Sequence, residues 1–436
     1  MTQEAERGLG ELYHTDPERA DALVFGRKTG PNRRGFLRGA GLASMGALLG
    51  TTIPFHANMP GGLIPAAFAE TVEPFMIEAK HSGLILHNDR PVNMETPAHL
   101  LDDDVTPADV HFVRNNGGMP DPVDLAQWRL KIDGEVETEL ELTYEQLSTE
   151  FEQVTLILQL ECGGNGRAGF NPLPRGNPWT VGAIGCASWT GVRVRDVLRH
   201  AGVKQSAVYT GHFGFDPHLS GDPERQAISR GGPIDKMMDP HTIIALKMNG
   251  EPIPVAHGYP ARIVTPGWAG SASQKWLTRI WVRDREHDGP GMTGLSYRVP
   301  RYPVAPGTEV PDADMMVMGS MIVKSIITFP QAGTEVAAGR PFEVRGHAWA
   351  GDDLVEAMEV SIDFGATWQP ASVSAPPNRY AWQRWRANIT PPQAGYYEVW
   401  ARATDNRNRS QPAVVPGWNP RGYLNNSCHR IDVTAV

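Results

Sequence analysis

The stretch Val154-Thr155-Leu156-Ile157-Leu158-Gln159-Leu160-Glu161-Cys162-Gly163-Gly164-Asn165-Gly166-Arg167 runs from a strand-forming apolar segment straight into a glycine-rich loop. The apolar residues 154–160 favour a buried strand, and the glycines that follow let a bulky partner come close to the backbone. Cys162 stands at the junction. A thiolate there can serve as a soft-metal ligand or a nucleophile, whereas a free cysteine elsewhere usually packs as a small hydrophobe. From these residues alone both readings stay open.

Working outward, residues 128–134 alternate like a half-buried strand, and Thr143 with Gln146 forms a capping box that starts a short helix. A second helix is expected over 192–200, with Val194, Val197, Leu198 and Ala201 on one face and Gly202 ending it. Strands are expected over 242–248, 262–265 and 277–282. Residues 70–115 carry no strong period. The interleaving of strands and helices lacks regular βαβ spacing, so the fold class expected for 70–310 is α+β. Residues 300–314 are proline-rich and read as a linker. From 318 to 436, short alternating runs at 322–329, 342–349, 358–364, 380–389, 396–404 and 429–433 are separated by turn residues, the pattern of an immunoglobulin-like β-sandwich.

Upstream, Asn32-Arg33-Arg34-Gly35-Phe36-Leu37-Arg38 precedes a modest apolar segment and Ala67-Phe68-Ala69, the order of a twin-arginine export signal over 1–69. Its removal leaves 33 Lys and Arg against 43 Asp and Glu. A net charge of about -10 argues against a nucleic-acid or anionic-membrane partner and suits a basic electron-transfer partner. The segment is too glycine-rich and short for stable membrane insertion, and periplasmic location is expected. Three cysteines, Cys162, Cys186 and Cys428, occur without any Cys-x-x-Cys, which excludes covalent haem and a four-cysteine iron-sulfur cluster in this sequence. Cys186 and Cys428 are expected as buried free thiols, with a disulfide between them as the alternative.

Candidate anion-binding groups are Arg114 in Phe112-Val113-Arg114-Asn115, His257 and Arg262 in His257-Gly258-Tyr259-Pro260-Ala261-Arg262, and Lys275 after a Gly-Ser loop. Trp179 is an aromatic at a turn and on its own suits a core as well as a ligand contact. In order along the chain, these motifs, together with Trp189-Thr190-Gly191-Val192, Met248-Asn249-Gly250-Glu251-Pro252 and Lys275-Trp276-Leu277, closely resemble the sulfite oxidase family of molybdenum enzymes. Within it they are similar to bacterial periplasmic haem-free sulfite dehydrogenases.

That resemblance implies a molybdopterin-binding catalytic domain over 70–310 and a β-sandwich dimerisation domain over 318–436. It implies Cys162 as the protein ligand of molybdenum, the other sulfurs coming from a pyranopterin dithiolene. It places Arg114, Arg167 and Trp179 around the oxyanion, with Tyr297 as the active-site tyrosine in preference to Tyr302. Phe112, Arg114, Asn115, His257, Arg262 and Lys275 are implied as cofactor-binding residues. The implied reaction is oxidation of sulfite to sulfate, with electrons passed to an external c-type cytochrome and the enzyme a homodimer or a complex with a cytochrome subunit. Two departures bear on substrate. Asn116 stands where the animal enzymes have His, and their sandwich-domain arginine has no secure counterpart, Tyr380 falling near its place with Arg379 and Arg384 beside it. The alternatives are the molybdenum subunit of a sulfane dehydrogenase in a thiosulfate-oxidising complex and, from another class, a non-catalytic periplasmic binding protein.

Overall fold

In the computed structural model, residues 77 and 79–436 are described. The chain divides into two units, Met1–Phe75 and Met76–Val436, and the described residues belong to the second. The export motif at 32–38 and the 67–69 site lie outside the described residues. Among the described residues no helix is long and apolar enough to cross a membrane.

The chain begins with a small antiparallel sheet of β1 (Ile85–Asp89), β2 (Val92–Glu95) and β3 (Val113–Arg114). Next come β4 (Arg129–Gly134), β5 (Leu140–Thr143), α1 (Tyr144–Thr149) and the long strand β6 (Gln153–Glu161). The Cys162 loop leads to β7 (Ile184–Arg193), α2 (Val194–Ala201), β8 (Tyr209–Gly214), β9 (Ser229–Pro233) and α3 (Ile234–Met237). After these run β10 (Ile243–Met248), β11 (Glu251–Pro252), β12 (Arg262–Val264) and β13 (Leu277–Arg283). Two five-stranded sheets result: β11-β10-β7-β6, with β12 also on β10, and β5-β4-β13-β8-β9. Leu130, Ile132, Val197, Leu198, Ile244, Ile263 and Ile280 pack into one core between these sheets and α2. Burying such side chains is worth about 1.5–3 kcal/mol each.

Local signals explain the elements. The capping box forms as expected: Thr143 Oγ1 accepts from Gln146 N at 3.1 Å, and Gln146 Oε1 accepts from Thr143 N at 3.1 Å. The second helix starts two residues later than the apolar pattern predicts, because Val192 and Arg193 are held in the β7 ladder against Ile244 and Ile243 of β10. Gly202 ends it with φ +71°. The stretch 229–233, Ser-Arg-Gly-Gly-Pro, forms β9 despite its two glycines. A side chain on Gly231 would meet Thr210 O at 1.7 Å, so glycine is what lets β8 and β9 pair there.

The proline-rich segment expected as a linker is closed at its base by β14 (Arg298–Pro300) pairing with β15 (Met315–Val317). Beyond it lie β16 (Lys324–Phe329), β17 (Thr334–Val336), β18 (Phe342–Trp349), β19 (Val355–Ser361), β20 (Gln369–Val373), β21 (Gln383–Ile389), β22 (Gly395–Asp405) and β23 (His429–Ala435). They form one path, β16-β18-β21-β20-β19-β22-β23-β17. β20 pairs with both β19 and β21, so the sheet doubles over a single core that includes Val344, Val360, Trp385, Val399 and Val433. The two layers touch again where Ile327 N donates to His429 Nδ1 at 2.9 Å. This carboxy-terminal part is sandwich-like, and the unit as a whole is sheet-rich with three short α-helices among the described residues.

Candidate active site

Cys162 follows directly on β6 and is 7% exposed. Its N–H donates to Ala183 O at 2.9 Å, and its carbonyl accepts from Asn165 N at 2.8 Å, so the loop turns back beneath the thiol. Asn165 braces the turn, accepting from Ala183 N at 3.1 Å and donating to Glu161 Oε1 at 3.0 Å. The carboxy-terminal part reaches in from the other side. Lys324 Nζ lies 3.1 Å from Glu161 Oε1, Trp349 Nε1 donates to Glu161 Oε2 at 2.7 Å, and Leu424 N donates to Gly163 O at 3.0 Å.

Above Cys162 opens a pocket of about 690 Å³. Of the residues singled out in the sequence, Phe112, Arg114, Asn115, Cys162, His257, Arg262, Lys275 and Tyr297 all line it. They arrive from separate elements. Pairing of β3 with β2 sets Arg114 opposite Asn93, whose Oδ1 accepts from Asn115 N at 3.0 Å. Arg262 opens β12 and donates to His257 O and Ser273 O, each at 2.9 Å, tying two loops of the pocket wall together. Lys275 donates to Asn115 Oδ1 and, at 2.8 Å, to Ala256 O. Arg114 Nη2 donates to Asn116 Oδ1 at 2.7 Å, and the Tyr297 hydroxyl donates to the same oxygen at 3.2 Å.

Basic groups dominate in and behind these walls. Lys80, Arg262 and Lys275 are buried without a carboxylate salt bridge among the described residues. Burial pushes Lys80 down to about 7 and Arg262 to about 9, and it holds Lys275 well below the ordinary lysine range, with Arg262 adding to the effect. His111 is lowered to about 3 and His257 well below the usual histidine value, by burial first and by Lys80 second, so both imidazoles are neutral. Asp216 is the acid on the wall. Burial raises it to about 6, with Lys275 opposing. Several buried polar atoms on the wall have no partner: His111 Nε2, Asn115 Nδ2, Asp216 Oδ1, Ser271 Oγ and Gln274 Oε1. Unpaired buried groups of this kind cost about 1–3 kcal/mol each, a cost that a polar, anionic ligand would remove. No cluster of three or more His, Cys, Asp or Glu among the described residues could hold a metal by itself.

Arg167 and Trp179, expected around the oxyanion, lie outside the pocket wall. Arg167 donates to Arg421 O and Asn177 O at 2.7 Å each, in a slot that the missing side chains of Gly164 and Gly176 leave open. Trp179 is fully buried and packs behind Cys162 and Phe112, its edge against His87. Tyr302 is 50% exposed and donates to Asp314, which leaves Tyr297 as the tyrosine on the wall. Tyr380 is engaged elsewhere, donating to Asp239 at 2.6 Å and accepting from Lys236 at 3.0 Å, while Arg384 pairs with Asp104.

Instead, the carboxy-terminal part supplies Tyr423. Its ring stacks on Tyr297 with centroids 5.7 Å apart, while the Arg230 guanidinium covers Tyr297 at 4.6 Å and Arg167 covers Tyr423 at 5.4 Å. Sequence reasoning missed Lys80, His111, Asp216, Arg230, Gln274 and Tyr423. Gln274, adjoining Lys275, and His111, adjoining Phe112, were the two that proximity to a recognised motif could have flagged.

The sequence profile of the oxidoreductase molybdopterin binding domain matches residues 116–290, and that of the Mo-co oxidoreductase dimerisation domain matches residues 315–436. The chain is 33% identical over 372 residues to sulfite oxidase of Gallus gallus, covering 80% of this chain and 78% of that protein. Mitochondrial sulfite oxidase of Homo sapiens is 32% identical over 391 residues, 84% of this chain and 69% of that protein. Among solved structures, the sulfane dehydrogenase SoxCD from Paracoccus pantotrophus superposes with a TM-score of 0.66 at 26% identity, covering 88% of this chain and 95% of that one.

Proposed function

Because the chain belongs to the sulfite oxidase family of molybdenum oxidoreductases, whose cofactor is molybdenum with molybdopterin, we propose that it oxidises sulfite to sulfate and passes the electrons to an external c-type cytochrome. The observation that carries this reading is the union in one pocket of Cys162, a buried set of cations and a row of unpartnered polar atoms. Such walls fit an anionic, multidentate cofactor better than they fit water. Cys162 would hold the metal. Phe112, Asn115, His257, Arg262 and Lys275 would hold the pterin and its phosphate. When bound, the cofactor supplies oxygen transfer and a two-electron redox change.

The protein's own part is electrostatic and geometric. Conversion of sulfite to sulfate consumes one water and releases two protons and two electrons, so the substrate enters and the product leaves as an anion. Arg114 has its guanidinium aimed along the pocket by Asn115 and Asn116, and there it neutralises that charge and orients the anion without reorganising. Tyr297, held to Asn116 Oδ1, offers its phenol at the same wall. Trp179 and Arg167 act one layer back, as packing behind Cys162 and as the brace of Tyr423. The acidic balance of residues 70–436 supports a basic acceptor, the Arg33-Arg34 motif supports export to the periplasm by the twin-arginine route, and the match to a dimerisation domain supports a homodimer.

The test is molybdenum analysis and sulfite-dependent reduction of added cytochrome c, for the wild-type protein and Cys162→Ala. Loss of molybdenum with at least a ~100-fold fall in turnover is expected for the variant, since even outer-shell partners of a metal are worth 10–100-fold. Full molybdenum and activity in Cys162→Ala would overturn the assignment of the ligand. The likeness to SoxCD over nearly all of that chain favours one second reading, oxidation of protein-bound sulfane sulfur. Wild-type protein that carries molybdenum, ignores free sulfite and turns over a sulfane-bearing protein would establish that reading instead.

A further inference from the structure

Lys80 precedes β1 and lies far in sequence from every recognised motif, yet its ammonium is buried behind the pocket. Nζ donates to Ala108 O at 2.6 Å and His111 O at 2.7 Å, and stands 2.7 Å from His257 Nε2. An ammonium has three N–H bonds and no acceptor, so these three contacts saturate it and oblige His257 Nε2 to accept. Ala108 O also lies 3.3 Å from Nε2, a longer approach to a carbonyl that the ammonium already occupies. A neutral imidazole that accepts at Nε2 carries its proton on Nδ1, and that N–H has no partner among the described residues while His257 lines the pocket. The opposite tautomer would set an N–H against an ammonium. No carboxylate salt-bridges Lys80 among the described residues, Asp109 acting on it only at longer range, so an anion on the far side of His257 would favour the charged form that burial opposes.

We propose that Lys80 is a positioning residue for the cofactor, fixing His257 as an Nδ1–H donor toward the bound anion and placing a positive charge directly behind it. The proposal rests on the cofactor reading of the site and not on the identity of the sulfur substrate. The segment ahead of β1 thereby backs the cofactor wall, although it belongs to neither of the large sheets.

The experiment compares Lys80→Gln, which can still donate to one of the two carbonyls, and Lys80→Arg, each alone and combined with His257→Ala. Molybdenum per chain is followed during dialysis of the loaded protein, and thermal midpoints are measured for loaded and cofactor-free forms. Lys80→Gln is expected to speed molybdenum loss about tenfold and to narrow the gap between loaded and cofactor-free midpoints. Lys80→Arg, keeping charge and donors, should restore most of both. In the His257→Ala background Lys80→Gln should add clearly less than it does alone, because only its charge behind the anion is left to lose. Fully additive effects, or midpoints lowered equally in loaded and cofactor-free forms, would show a purely structural lysine and overturn the proposal. Sulfite turnover enters none of these readouts, so failure of the substrate reading shows separately, as full molybdenum retention without turnover.

Discussion

Tyr297 is gripped on both faces, by the Arg230 guanidinium and by the Tyr423 ring, and it sits at φ +52°, a backbone region that a bulky residue rarely adopts unaided. Arg230 is itself almost fully buried and hydrogen-bonds Gly291 O at 2.8 Å. A desolvated cation over a ring is worth about 2 kcal/mol. Arg230→Met should therefore release the phenol from Asn116 and lower kcat/KM for sulfite about tenfold, with Arg230→Lys recovering part of it. Steady-state kinetics beside a thermal midpoint would check this, and a fall in stability with unchanged kcat/KM would refute it. At this scale the sequence was legible where chemistry and motif coincide, as at Cys162, Arg114, His257, Arg262 and Lys275. It was not legible at Arg230 or Tyr423, because neither belongs to a motif and their meeting at Tyr297 spans 67 and 126 residues.

Among elements, β6 and its loop carry the most. The strand ends in Glu161, a buried carboxylate whose partners, Lys324 and Trp349, both come from the carboxy-terminal part. The junction therefore fixes Cys162 to both halves of the unit. Lys324→Met leaves that carboxylate without its cation, for which about 3–5 kcal/mol of stability is the expected loss, whereas Glu161→Gln combined with Lys324→Met should recover much of it. Urea unfolding of the single and double variants measures the difference. Apolar strands such as β6 and β10 were readable because burial along most of their length leaves a nearly continuous hydrophobic run. β9, with two glycines in five residues, and β20, mostly exposed and containing Pro370, have no such run; they are strands because a neighbouring edge is there to pair with.

Over the whole molecule, the histidines set the response to acid. His111 and His212 are held near 3, and His287, His347 and His429 near 4, in each case by burial first. Their unfolded-state value is about 6.5, so between 6.5 and 4 the unfolded chain binds protons that the folded chain refuses. Stability from these groups is fully present above pH 6.5 and is lost as pH falls, at up to ~1.4 kcal/mol per pH unit for each histidine once well below 6.5. A steep decline in the urea midpoint from pH 6.5 to 4.5 is expected, shallower in His212→Asn. A flat profile across that window would mean that these imidazoles are not held neutral.

The sequence by itself determined the class of chemistry: a thiolate in a glycine-rich loop, an ordered series of cationic motifs and a separate run of sandwich strands. These are local features, since a motif's residue types and spacing are written contiguously. Tertiary structure alone decided which side chains face the ligand. It left Arg167 and Trp179 outside the pocket wall and brought Lys80 beside His257, Asp216 near Lys275, and Tyr423 against Tyr297. The reason is physical. Each of those encounters depends on how sheets and loops many residues apart are stacked and buried, and packing of that kind leaves no periodic or compositional mark on either partner.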